Sequence, residues 1–304
     1  MVVLVTGSTG FIGSHLVKKL REEGEKVVSL IHDCPVWTKW LEDSMKHTIK
    51  VHGDIRDFHF LKRVISHYEV SHVFHLAAMS IVKHAYKDPI NTYDINVMGT
   101  VKLLEACRQL DVEWILVQTT DKIFGDQRGA NVDSKYIPTE PYGTSKICCD
   151  VIARSFVETY GMNIVITRCC NVYGYDWNNR IIPNTIKACL RGESPIIYKN
   201  DKSERQYIYI DDVIDSFIKL FRGEYKVSTN MVNIATPEVL SQKYVVLKIL
   251  EFFPGLKPRY VEKPGIKQIK SQSMIPTLPL EYTPFDDGIQ YTIHAFKKYR
   301  EDWM

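Results

Sequence analysis

Two short stretches hold the side chains with the most obvious chemistry, TTDKIFG at residues 119–125 and PYGTSK at 141–146. In the second, Tyr142 and Lys146 are four residues apart and so share one face of a helix. A phenol titrates near about 10 in water. A neighbouring ammonium stabilises the phenolate and makes it a usable base closer to neutral pH. In the first stretch, Thr120, Asp121 and Lys122 set a hydroxyl, a carboxyl and an ammonium side by side at what reads as the end of a strand. Asp121 and Lys122 are then either an acid–base pair or a strand-end salt bridge.

Near the start of the chain, Gly7, Gly10 and Gly13 in TGSTGFIG fall between an apolar first strand and an amphipathic first helix. Glycines at this spacing allow a tight turn, close backbone approach to a pyrophosphate, and helix–strand packing. The helix N-terminus adds amide donors and the positive end of its dipole. This context predicts a dinucleotide site. A carboxylate that reads the ribose is expected about 20 residues further on, at the tip of the second strand. That tip reads LIHD, so Asp33 lies slightly beyond the usual place, which Ile31 or His32 occupies. No arginine follows that would cradle a 2′-phosphate, which favours NAD and leaves NADP open. Asp54, in VHGDI at the end of the third strand, is placed to reach the adenine, with Ile55 offering an amide. An oxidised nicotinamide would add a second positive charge beside the Tyr142 phenol.

The elements that must position these residues are legible as an alternation. VVLVTG, KVVSLI, TIKVHGDI, HVFHLAA, EWILVQTT and NIVITRCC are short β-branched runs, and helical stretches such as FIGSHLVKKLREEG, FHFLKRVISHY, NTYDINVMGTVKLLEACRQL and 142–160 fall between them. Continuous apolar strands alternating with amphipathic helices predict a doubly wound parallel sheet covered on both faces, an α/β Rossmann fold. After about residue 175 the elements become short and mixed. The expected division is a nucleotide-binding domain over 1–174, with a returning segment near 230–240, and a smaller α/β substrate lobe over 175–304.

Composition narrows the partners. Of 304 residues, 45% are apolar and 25% charged, with a net charge of +3 and no basic stripe, so nucleic acid is not an expected partner. No apolar run approaches the roughly 20 residues that span a bilayer, and MVVLVTG reads as a strand rather than a leader. A cytoplasmic location is expected. The vicinal pairs Cys148–Cys149 and Cys169–Cys170 suit neither disulfides nor zinc and read as buried thiols. His72 and His75 share a strand but point to opposite faces, and no metal is assigned.

Taken in order, TGSTGFIG, HGDIRD, HLAA, TTDKIFG, YGTSK, RCCNVYG and RQYIYIDDV resemble the extended short-chain dehydrogenase/reductase family acting on nucleotide sugars. The resemblance covers nearly the whole chain and weakens after about residue 240. It implies NAD contacts at Phe11, Ile12, Leu76, Ala77, Ala78 and Asn96 besides the glycines, Tyr142 and Lys146. Within the family, 4,6-dehydratases show Thr-Asp-Glu or a relative after the fifth strand. Thr120-Asp121-Lys122, PINTYDINVMGTVKLLEA and NVYGYDWNNRIIP most resemble the nucleotide-sugar 4,6-dehydratases of the CDP-glucose type.

That resemblance implies a reaction. Tyr142, sharing a hydrogen bond with Thr120, removes the sugar O4 proton as C4 is oxidised by NAD. The C4 ketone acidifies C5, and water leaves from C6 with Asp121 as acid. Hydride then returns to C6. Lys122 either removes the C5 proton as a neutral amine or stabilises the enolate as a cation. Asn171 and Arg205 are expected at the diphosphate, Arg180 is a further substrate contact, and Ser80 and Lys83 face the sugar. The base stays open among CDP, UDP, TDP and GDP. The resemblance also implies a homodimer through helices 94–108 and 142–160. An alternative activity is 4-epimerisation, which needs no acid–base pair over C5 and C6; a non-catalytic NAD-binding protein is a third.

Overall fold

The computed structural model describes residues 1–32, 37–225, 229–262 and 270–304. Seven parallel strands form the central sheet: β1 Val2–Thr6, β2 Lys26–Ile31, β3 Ile49–His52, β4 His72–His75, β5 Trp114–Thr120, β6 Ile164–Cys169, and, after four short strands, β11 Met231–Ile234. Those four are β7 Asn171–Tyr173, β8 Ile196–Tyr198, β9 Glu204–Arg205 and β10 Tyr207–Tyr209. The order across the sheet is β11-β6-β5-β4-β1-β2-β3. It reverses between β1 and β4, so their carboxyl ends open a crevice at the switch point.

Strands β1, β2, β4, β5, β6 and β11 are buried on both faces, while the edge strand β3 leaves Lys50 and His52 exposed. Val3 and Val5 pack with Phe74 and Leu116 on one face, while Leu4, Val73, Ile115 and Val117 pack on the other. The first face is covered by α1 (Phe11–Glu22) and α9 (Ile210–Phe221). Helix α9 buries Ile210, Val213, Ile214, Phe217 and Phe221 at helical spacing, and Phe217 and Phe221 pack against the rings of Phe74 and Trp114. The second face carries α3 (Phe58–His67), α6 (Gly99–Gln109) and α7 (Pro141–Tyr160). His72 lies against Phe221, whereas His75 bonds to Thr100 of α6, so the two histidines do face opposite sides.

Local structure departs from the sequence expectation at three places. The Trp-containing connection after β2 holds a helix, α2 (Lys39–Ser44), capped by Thr38, whose Trp40 packs among His15, Tyr175 and Tyr299. Its amphipathic signal is only six residues long, too short to show as a period. The expected single helix over 91–110 is interrupted: α4 (Val82–Lys87) and α5 (Pro89–Tyr93) lead into a π-turn over Asp94–Met98 before α6. Finally, β5 ends at Thr120, so Asp121 and Lys122 open a 3₁₀ turn, Asp121–Phe124, rather than finishing the strand.

Beyond β6 the chain leaves the main sheet. β7 pairs with β10, and β9 lies between β12 (Leu240–Ser241) and β14 (Ser271–Gln272). β8 pairs with β13 (Arg259–Val261). Helices α8 (Ile181–Leu190), α10 (Gln242–Glu251) and α11 (Phe285–Lys298) pack around these small sheets.

Candidate active site

A cavity of about 1670 Å³ runs from the switch-point crevice to the small sheets. That exceeds the roughly 300–1,000 Å³ of a pocket for one small ligand, so it has room for two end to end. Gly7, Gly10, Phe11, Ile12 and Gly13 form its wall at the nucleotide end, facing Leu76, Ala77 and Ala78. The backbone of Gly7 has a φ of +69°, and a Cβ there would lie 2.7 Å from the Ala77 nitrogen. A Cβ on Gly13 would lie 2.0 Å from the Gly7 carbonyl oxygen. The Gly10 amide closes the turn onto that same oxygen at 2.9 Å. No side chain caps α1, so its first amides open onto the cavity. This cradle fits a pyrophosphate.

Asp54 and Ile55 line the same end, as do His32 and Arg56. Asp33 lies outside the described residues. Asp54 accepts from the Arg56 Nε and Nη2, and His32 stands 3.3 Å from it. The Arg56 bonds hold the Asp54 carboxyl below its ordinary range. Arg56 is an arginine near the ribose end that a search after the second strand alone misses, because it follows the third. Its guanidinium is already engaged by Asp54, Asn91 and Asp94.

Asn96 does not line this wall. It is buried behind it, accepting from the Met79 amide and donating to the Ser145 hydroxyl, which in turn donates to the Tyr142 carbonyl. The π-turn that presents Asn96 thus ties the loop after β4 to helix α7.

The chemistry-bearing residues converge at the centre. Thr120, Asp121, Lys122, Tyr142 and Lys146 all line the cavity. Helix α7 begins at Pro141 because Glu140 caps it, accepting from the Tyr142 and Gly143 amides at 2.8 and 2.7 Å. Lys146, one turn on, donates to the Gln118 carbonyl at 2.9 Å, and burial lowers its pKa. Burial pushes the Tyr142 phenol far up; the Arg180 charge and the nearby Thr120 hydroxyl pull it back, while Asp121 and Glu140 oppose them. The Thr120 hydroxyl donates to Asp121 Oδ1 at 3.0 Å, and Lys122 Nζ stands 3.5 Å from that oxygen. From the C-terminal strand β14, Gln272 donates to the Asp121 carbonyl.

Behind this turn lies a fully buried ion pair. Arg168 of β6 meets Asp150 of α7 through Nε at 2.8 Å and Nη2 at 3.0 Å. Arg168 also donates to the Val132 carbonyl and the Tyr136 hydroxyl, fastening the 126–140 segment that delivers Glu140.

Toward the small sheets the walls hold Ser80, Lys83, Asn171, Arg180 and Arg205. Asn171 donates to the Gln206 carbonyl, and Arg205 to the carbonyls of Glu204 and Lys270. Arg180 Nε lies 3.6 Å from buried Asp176, and its guanidinium sits 5.9 Å over the Phe11 ring, so it links this end to the glycine loop. Sequence reasoning missed Glu140, Asp176 and Gln118. Glu140 carried a visible signal, an acidic residue just before a proline at a helix start; Asp176 pairs with Asn178 and Arg180 in a loop without a periodic signal, and Gln118 acts through Lys146 and Thr167, distant in sequence.

Comparison with known proteins settles the class. Residues 3–235 match the model of the NAD dependent epimerase/dehydratase family. The chain belongs to that family. A dTDP-D-glucose 4,6-dehydratase from Dictyostelium discoideum is 29% identical over 268 residues, 82% of this chain and 61% of that relative's length. A UDP-glucose 4-epimerase from Halalkalibacterium halodurans is 36% identical over 235 residues, 71% of this chain and 69% of the relative. Among solved structures, a dTDP-glucose 4,6-dehydratase from Streptomyces venezuelae with NAD bound superposes with a TM-score of 0.88 at 27% identity, covering 100% of this chain and 99% of that one. The family's cofactor is NAD, and the glycine cradle has the shape to hold it. Family relatives include both dehydratases and epimerases, so membership leaves the reaction open.

Proposed function

We propose that this family member is a nucleotide-sugar 4,6-dehydratase, taking an NDP-hexose, CDP-glucose foremost, to the 4-keto-6-deoxy sugar nucleotide. One observation carries the reading: Asp121 places a carboxyl in the same cavity wall as the Tyr142 phenol, in contact with Thr120 and Lys122. Exchange of configuration at C4 needs a base for O4 alone. Loss of water across C5 and C6 needs an acid and a base as well.

NAD, when bound, supplies the reversible oxidation of C4. Tyr142 takes the O4 proton, helped by the fixed ammonium of Lys146 and the Arg180 charge. Asp121 protonates the departing C6 hydroxyl. Lys122 beside it takes the C5 proton as a neutral amine or holds the enolate as a cation. Asn171 and Arg205 grip the diphosphate, with Arg180 a further substrate contact, and Ser80 and Lys83 face the sugar. Guanidinium suits phosphate because its planar fork donates two parallel bonds.

The test is to supply the purified protein and NAD with CDP-, UDP-, TDP- and GDP-hexoses in turn and weigh the products. A product lighter by one water supports the dehydratase and names the nucleotide. The Halalkalibacterium relative favours a second reading, a 4-epimerase, for which the mass stays constant while the sugar inverts. No turnover with any donor would leave a non-catalytic NAD-binding protein. In the dehydratase, Asp121→Asn is expected to oxidise C4 and stop there, accumulating the near-ultraviolet absorbance of reduced nicotinamide.

A further inference from the structure

A cofactor that is reduced and reoxidised within one turnover must stay bound between the two hydride transfers. That holds for a 4,6-dehydratase and a 4-epimerase alike, so the inference rests on NAD and not on the choice between them. The glycine cradle supplies only part of the charge such retention needs. The N-terminus of α1 offers about half a positive charge, whereas a pyrophosphate is negative at each phosphate. The loop between β7 and α8 places a cation at that end.

This loop is built onto the first turns of α1. His15 donates to the Tyr175 carbonyl at 3.2 Å, and Trp40, packed on Tyr175, donates to Ser14 at 2.9 Å. A Cβ on Gly174 would lie 3.6 Å from the Phe11 ring. Asp176 follows, 1% exposed. Its Oδ1 accepts from the Asn178 amide at 2.9 Å and from the Asn178 side chain at 2.7 Å. The Arg180 amide then closes onto the Asn178 carbonyl at 2.9 Å. Arg180 therefore reaches the N-cap of α8 with its guanidinium 5.9 Å over the ring of Phe11, the first residue of α1.

Two polar groups in this turn are left open. Asp176 Oδ2 is buried and accepts no hydrogen bond. Among the described residues the Arg180 guanidinium donates none, and its Nε stands 3.6 Å from that oxygen. A buried carboxylate is costly unless a cation stands beside it, so the two side chains hold each other in place. Arg56 and Lys146, cations of the same cavity, are already bonded to Asp54 and to the Gln118 carbonyl. A guanidinium has five donors in a planar fork, so Nε turned to Asp176 leaves both Nη groups for a phosphate.

We propose that Arg180 closes on the NAD pyrophosphate beside the α1 amides, and that buried Asp176 is the positioning residue that holds it there. Arg180 thereby serves the cofactor as well as the substrate. Loss of this clamp would let reduced cofactor escape before its hydride is returned.

The test measures release rather than turnover. Protein loaded with NADH is mixed with excess NAD, and the decay of nicotinamide fluorescence gives the dissociation rate. Arg180→Gln is expected to speed release by about 10-fold or more, the worth of a hydrogen bond to a charged group. Asp176→Asn, which keeps an oxygen for Asn178, should speed it by a similar factor. The double variant should release no faster than Arg180→Gln alone. Affinity for ADP-ribose, which carries the pyrophosphate, should fall in parallel, while affinity for AMP, which lacks it, should hold. Weakened AMP binding would mean a generally loosened site and overturn the assignment. Unchanged release in Arg180→Gln, with only CDP, UDP, TDP or GDP binding reduced, would confine Arg180 to the substrate and overturn it too. Factors that multiply in the double variant would remove Asp176 from the clamp. The assay uses no sugar nucleotide, so its result stands whichever reaction the protein catalyses.

Discussion

A buried phenol is a poor base until cations are brought to it, and each cation around Tyr142 has a different anchor. Lys146 is pinned by the Gln118 carbonyl. Lys146→Met should therefore cut kcat by about 100-fold or more and move the rise of kcat/KM to higher pH, because the phenolate loses a stabilising charge; a pH–rate profile reads both. His75 is tuned the opposite way. Thr6 spends both oxygen lone pairs on the Leu76 and Ala77 amides, so its proton goes to His75 Nδ1. The Thr100 hydroxyl donates to the Asn96 carbonyl and so accepts from His75 Nε2. A second ring proton has nowhere to go, and burial holds the pKa to about 3 against an ordinary 6.5. The unfolded chain binds that proton first. Stability from His75 is complete above pH about 6.5 and is lost as pH falls toward about 3, by several kcal/mol. Urea unfolding across this window should show a shallower acid loss in His75→Gln. Tyr142, Lys146 and the three glycines were legible in the sequence because their chemistry depends on local spacing. His75 and the reach of Arg56 to Asn91 and Asp94 were not, because those neighbours lie far along the chain, and Asp176 pairs with Asn178 and Arg180 in a loop without a periodic signal.

Elements deliver these residues through their ends. Helix α7 starts where it does because Glu140 satisfies two of its first amides. Glu140→Ala should cost about 1 kcal/mol in denaturant unfolding and lower kcat further by loosening the turn that carries Tyr142. The Arg168–Asp150 pair is a harsher case, since removing one member strands the other without solvent. Arg168→Met should cost about 3–5 kcal/mol by the same measurement. The alternation of strands and helices could be read from apolar runs alone. The π-turn at Asp94–Met98 could not: it depends on Asn96 reaching the Met79 amide, and on Gly99, where a Cβ would crowd Ile55 at 2.8 Å. Helix α2 was hidden for want of length, and its Trp40 packs against residues from the far end of the chain.

For the molecule as a whole, we propose a homodimer joined through the face of α4 to α7. Ile90 is 84% exposed, and Tyr86, Met98, Val151 and Tyr160 are exposed with it. Single exposed apolar residues are ordinary, whereas a face of them asks for a cover. Ile90→Glu combined with Val151→Lys should shift sedimentation from dimer to monomer; an unchanged value would place any interface elsewhere. Among the described residues, no helix is long and apolar enough to cross a membrane.

Gln272 clasps the Asp121 carbonyl from a strand 151 residues downstream, and β11 finishes the sheet only at Ile234. The clasp on the 3₁₀ turn that carries Asp121 is thus absent from any nascent chain that has not yet reached Gln272. The glycine turn, by contrast, closes within its own stretch, the Gly10 amide on the Gly7 carbonyl oxygen. During synthesis the turn at Asp121 would wait for a fastening made long after it, a local fold completed by a distant one.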